Sequence, residues 1–180
     1  MNIPDLVTMI GNLSRSLAPI QKLITGGAYL FGILFFITAI SKFKTIGDKR
    51  TNSSSQEKMF TPMMYLVFGA ALFYLPTALS VMANTAFGAG NVLTYGAYSK
   101  MTVLGSMRVL IRTAGLLWFV RGCVLIAHAS EPGVQEGPKG LAFLIAGVLA
   151  INFDNSVGAI DYVVNQLIGW GINIKVIKGT

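Results

Sequence analysis

Charge is what this chain has least of. Only 12% of its 180 residues are Asp, Glu, Lys or Arg, against about 25% in an ordinary soluble domain. Apolar residues make up 53% and the mean hydropathy is +0.64. Such a chain cannot cover a water-facing surface, which excludes the soluble globular class and leaves the membrane class. Cysteine is nearly absent. Cys123 stands alone, which excludes an intramolecular disulfide and reads as a small buried hydrophobe. His128 is the single histidine. A metal site needs more donors than one, so His128 reads as an interfacial residue and no metal is expected. There is no Gly-x-Ser-x-Gly, no His-Glu-x-x-His, no phosphate-binding Gly-Lys-Ser/Thr loop and no Cys/His pair. The chain is therefore not read as an enzyme, and no cofactor is expected. Acidic residues are also few, 7 against 14 basic ones, for a net charge of +7. The bases cluster beside apolar runs. There they set topology and meet anionic phospholipid, and no aromatic-interleaved basic patch points to sequence-specific nucleic acid binding.

What is present is a series of long uncharged runs. Residues 23–41 carry no charge between Lys22 and Lys42, and residues 59–99 none between Lys58 and Lys100. A helix needs about 20 apolar residues to cross the hydrocarbon core. The reading is all-α and integral to the membrane, with four hydrophobic helices in two hairpins plus interfacial amphipathic helices. Residues 1–100 form the first unit, with spans 23–41 and 59–82. Residues 101–180 form the second, with spans 103–129 and 140–163. Residues 3–20 place Ile3, Leu6, Ile10, Leu13 and Leu17 on one helical face and read as an interfacial helix ahead of the first span. That opening lacks the basic region of a cleavable signal, so the first span is expected to serve as an uncleaved anchor. Between the spans, Lys42, Lys44, Lys49, Arg50 and Lys58 outnumber Asp48 and Glu57. A basic turn of this kind stays cytoplasmic. Ala28 and Gly32, four apart, and Gly69 and Gly147 are small enough for close helix contact. Pro76 lies deep in the second run and is expected to kink or break it. Residues 84–100, with Tyr95 and Tyr98, read as a turn and interfacial return, and the tail with Trp170, Lys175 and Lys178 as a last interfacial helix.

The two halves look alike. Residues 69–76 read GAALFYLP and residues 147–154 read GVLAINFD. Each begins with Gly, runs apolar, and ends in an aromatic and a helix-disturbing residue, so Pro76 meets Asp154 at an offset of 78. Residues 23–41 align with 110–128 at an offset of 87 through Leu23/Leu110, Ile24/Ile111 and Leu30/Leu117. Identity is very low. The shared order of features carries the match: apolar helix, polar turn, apolar helix broken near its middle, amphipathic return. Membrane proteins built from repeats show this kind of weak symmetry.

The second half carries intramembrane charge. Arg108 and Arg112 are four apart and share a face, Arg121 points to another side, and Asp154 and Asp161 are seven apart on one face. Ionisable residues inside a span usually face protein or water. Two readings stand: a polar path with Arg121 paired to Asp154 or Asp161, or Arg–Asp pairs that fix helix register while the outer arginines snorkel to lipid phosphates.

The stretch LITGGAYLFGILFFITAISKFKTIGDKR, followed by SSSQ and TPMMYLVFGAALFYLP, resembles the IcmC/DotE family of type IVB (Dot/Icm-type) secretion systems, whose counterpart in IncI-type conjugation is TraQ. The resemblance covers roughly residues 13–80. It implies a multi-pass bacterial inner-membrane subunit, structural or channel-forming, of an apparatus that transfers protein or DNA. Its implied partners are other membrane subunits of that apparatus, copies of itself and phospholipid, and it implies no catalytic residue. A looser similarity holds to conjugative pilins, in which two apolar helices flank a basic cytoplasmic turn. The alternatives are a stand-alone transporter or channel using the Arg/Asp pair, and an intramembrane enzyme using the buried acids.

Overall fold

In a computed structural model, residues 6–51, 59–88 and 103–178 are described, and among them the chain is all-α. Six helices follow one another: α1 Leu6–Thr51, α2 Phe60–Phe73, α3 Leu75–Phe87, α4 Val103–Ala129, α5 Gly137–Ile151 and α6 Phe153–Lys178. Two of them, α1 and α4, are long and apolar enough to cross a membrane. The number rises to four if α2 with α3, and α5 with α6, each count as one bent span.

Each half is a hairpin with an elbow. Helix α1 packs against α2, α4 packs against α5, and the hairpins meet mainly through α1 and α4. Gln21 on α1 donates to Thr113 Oγ1 on α4 at 2.7 Å, and Lys42 on α1 reaches Glu131 just past α4. Successive contacts in the same direction make α1 and α4 parallel, so the two hairpins stand side by side with one sense. The α4–α5 turn and Lys42 of α1 lie at one end, the turn end, and both elbows lie at the other.

Small residues set the hairpin spacing. On α4, Gly115 and Gly122 are seven apart, two helical turns, and on α5 so are Gly140 and Gly147. A Cβ on Gly147 would fall 2.6 Å from the Phe119 amide nitrogen, and one on Gly122 2.6 Å from that of Leu144. In the first hairpin, Gly32 faces Gly69 and the backbone of Phe73, and Ala28 is buried in the core. These contacts correct the repeat. Gly32 meets Gly69 as Gly115 meets Gly147, so α1 corresponds to α4 at an offset of 83. The sequence match at 87 is four residues, about one turn, out of register, because scattered Leu and Ile identities recur at every turn of an apolar helix. The offset of 78 holds for the second helices. Tyr74 and Asn152, 78 apart, have nearly identical backbones (φ −104°, ψ 45° and φ −101°, ψ 43°).

Those two residues are the elbows. The axis turns by 100° after α2 and by 96° after α5. The spans read over 59–82 and 140–163 are thus each broken into two arms. Arms of 14 and 15 residues are only about 21 Å long, short of a hydrocarbon core of about 30 Å. Pro76 is not the break itself. It sits in the first turn of α3, where its missing N–H goes unneeded. At the second elbow side chains reinforce the backbone. Ser156 Oγ donates to Leu149 O at 2.8 Å, and Asn152 Nδ2 adds a second hydrogen bond of 2.9 Å to Val148 O, which also accepts from the Asn152 amide at 3.1 Å. In a low-dielectric setting an orphaned carbonyl is costly. Ser156→Ala is expected to speed amide exchange across 149–156 while leaving the 71–78 elbow unchanged, as hydrogen-exchange mass spectrometry would read.

The N-terminal end also differs from expectation. No separate interfacial helix over 3–20 precedes the first span. Helix α1 runs unbroken through Pro19 from Leu6 to Thr51, about 69 Å at 1.5 Å per residue. Residues 42–51 of the basic stretch extend that helix, and α3 carries the expected return on to Phe87. Lys58, Tyr95 and Tyr98 lie outside the described residues, as do the side chains of Lys49, Arg50, Trp170, Lys175 and Lys178.

Candidate functional site

The turn end carries a polar cluster that joins the two hairpins. Lys42 Nζ on α1 donates to Glu131 Oε1 at 2.9 Å, and Tyr65 Oη on α2 donates to the same oxygen at 2.8 Å. Lys42 also lies over the Tyr65 ring, 5.2 Å from its centroid. His128 meets that ring edge-on at 6.1 Å, and Thr61 Oγ1 donates to Ser130 O at 2.7 Å. Two helices of the first hairpin, α1 and α2, therefore converge on one carboxylate placed in the turn after α4. The Lys42 ammonium first, then the Tyr65 hydroxyl, hold Glu131 below the usual carboxylate range. The cluster fixes the relative height of the hairpins.

Of the arginine and aspartate candidates, Arg108 and Asp154 come together. Arg108 Nε lies 3.0 Å from Asp154 Oδ1. Its N–H is not aimed along a hydrogen bond, so the contact is an ion pair by proximity alone. Arg112 is half-buried and makes a contact of its own. The pairing of Arg121 with Asp154 does not occur. Arg121 is 13 residues beyond Arg108, about 20 Å along α4, and Asp154 is spent at the elbow. Asp161 travels away with α6 and is exposed. Arg121 is itself exposed, with its guanidinium 4.9 Å from the Phe143 ring centroid. Among the described residues no carboxylate pairs with it.

Lys44 is exposed on α1. Glu131 and Tyr65 carry the tie between hairpins, and neither stands out in the sequence. A Glu in a Pro/Gly turn reads as a solvated loop charge, and a Tyr in an apolar run reads as packing. The paired glycines were findable, since Gly115/Gly122 and Gly140/Gly147 repeat the same seven-residue spacing in both helices. No cluster of three or more His, Cys, Asp or Glu able to hold a metal occurs among the described residues.

The far end of the second hairpin is the most open surface. From Val157 to Ile168, α6 is exposed on every side, apolar and polar residues alike. An apolar groove of about 600 Å³ opens between α5 and α6, with Phe87 of α3 and Ile111 of α4 also in its lining. Comparison with family models, curated proteins and solved structures finds no match for this chain.

Proposed function

We propose that this chain is a structural or channel-forming inner-membrane subunit of a type IVB secretion or conjugation apparatus, and that it works by assembly with copies of itself and with neighbouring membrane subunits. The observation that carries this reading is Arg121. It stands about 12 Å from the C-terminal end of an apolar helix, exposed, with an aromatic face as its contact. A guanidinium there facing lipid is costly. The cost is lifted if an assembly covers that face with protein or lines it with water. The basic residues Lys42 and Lys44 at the turn end support a cytoplasmic position for that end under the positive-inside rule, with the elbows toward the opposite interface. Assembly supplies the mechanism, with no chemistry asked of any side chain. The stand-alone transporter reading called for an intramembrane Arg/Asp pair with Arg121 in it, whereas Asp154 lies beside Arg108.

Deleting the chain from a host cell tests this reading. Transfer of protein or plasmid between cells is expected to fall to background and to return with the wild-type chain. With Arg121→Leu, transfer and co-purification of an untagged copy with a tagged one are both expected to be lost. Normal transfer without the chain would overturn the proposal.

A further inference from the structure

The first elbow is filled and the second is open. The second hairpin, chiefly through α4 with α5 reaching α3, seats on the first, where Ala28, Phe35, Tyr65, Leu72, Leu75 and Leu79 are all buried. The shifts of 83 and 78 residues carry that seat onto the second hairpin as Ile111, Trp118, Phe143, Ala150, Phe153 and Val157. There Trp118 is 44% exposed where Phe35 is 6%, and Val157 is 39% where Leu79 is 4%. Four of the six, Ile111, Ala150, Phe153 and Val157, line the groove of about 600 Å³. The groove is the second-half counterpart of the seat, and no helix among the described residues fills it.

The helix that would fill it is found by the same shift. Helix α4 presents Thr113, Leu116, Val120 and Cys123 to the first hairpin. Subtracting 83 gives Leu30, Ile33, Ile37 and Ile40 on α1. Leu30, Ile37 and Ile40 are 62%, 56% and 66% exposed. Among the described residues the chain thus carries an unfilled seat on the second hairpin and a matching uncovered apolar face on α1.

Charge recurs near the same place one turn off that register, since 83 residues beyond Lys42 stands Leu125. In the first hairpin, Lys42 lies over Tyr65 and receives Glu131 from beyond α4. In the second, Arg121 lies over Phe143, the counterpart of Tyr65 at 78, at a similar distance. Asp48 stands 83 residues before Glu131 and is exposed on the same side of α1 as Leu30, 18 residues or five turns away.

Resting on the assembly reading above, we infer that the α5–α6 elbow of one copy is the seat for α1 of a second copy, with Leu30, Ile37 and Ile40 in the groove and Asp48 of the second copy on Arg121. The contact is heterologous. Each copy offers a seat and fills another, so repetition builds a ring or a filament, and the join between copies repeats the join between the halves of one chain.

The test uses Asp48→Arg and Arg121→Asp in the full chain, purified in detergent, with protein mass read by light scattering. Each variant alone sets like charges together at every junction, and the complex is expected to fall to the 19.3 kDa single chain. Mixed in equal amounts they alternate, every junction regains an opposite pair, and the wild-type mass is expected to return. A folding defect would not be cured by mixing. A second measurement leaves the charges alone. A photo-reactive residue at Ile40 is expected to cross-link to peptides spanning 143–157 of another copy, identified by mixing isotopically light and heavy chains. An oligomeric wild type without rescue on mixing and without that cross-link overturns this seat and leaves assembly standing. A monomeric wild type overturns both.

Discussion

Gly147→Leu is expected to pull the second hairpin apart. The Cβ alone would lie 2.6 Å from the Phe119 nitrogen, 2.8 Å from its Cα and 2.9 Å from Gly115 O. These are backbone atoms of an intact helix and cannot step aside as a side-chain tip can. The helices must separate, which breaks the matched contacts at Gly122 and Gly140 on the same seam. Overpacking a core costs about 1–3 kcal/mol, occasionally more, and rigid backbone on both sides puts this substitution at about 3 kcal/mol or above. Gly158→Ala supplies the opposite sign. Gly158 lies on exposed α6, and a methyl added there would meet nothing within 4 Å. A helical Gly→Ala change at such a position is expected to stabilise by about 0.5–1 kcal/mol. Reversible unfolding in mixed detergent would read both. If Gly147→Leu unfolds with the wild-type midpoint, α4 and α5 are not in backbone contact.

Glu131→Gln is expected to loosen the hairpins from each other without opening either. The carboxylate receives Lys42 and Tyr65 together, and charge-assisted hydrogen bonds are worth more than neutral ones. Both groups of the ion pair are about a third exposed, so solvent screens part of the gain, and the loss is put at about 1–2 kcal/mol. The pH dependence has a definite sign. Glu131 titrates below its ordinary value in the folded chain, so the folded state holds its proton less tightly than the unfolded one. The stabilisation is fully present above the ordinary glutamate value of about 4.3. It drains away as pH falls from there through the lowered folded value. Wild type is expected to lose inter-hairpin stability over that acid window, and Glu131→Gln to show a flatter profile. Equal slopes would mean that Glu131 does not tie the hairpins.

The membrane class was legible from scarce charge and uncharged runs, because composition alone decides whether a surface can face water. The order of features in each half was legible too, down to a disturbance near Pro76 and Asp154. The elbows were not, since both arms of each are apolar and hydropathy is blind to a turn of the axis. The Arg121 pairing fails on register. Helices α4 and α5 run antiparallel with Gly122 facing Leu144, so Asp154 lies about 15 Å past the level of Arg121 even on a straight span, beside Arg108, and the turn at Asn152 sends Asp161 outward. The one-turn slip in the first-helix match has a similar origin. Leu and Ile identities tolerate any register on an apolar helix, but glycines in backbone contact tolerate one.

The central claim is a tandem of elbowed hairpins built to continue from copy to copy in a membrane. Cryo-EM of the detergent-extracted protein tests it most directly. The expected map is a closed ring or a filament in which each copy contributes two similar hairpins, α1 of one resting in the α5–α6 elbow of the next. A lone monomer, or copies joined through a two-fold face that leaves the second elbow empty, would contradict it.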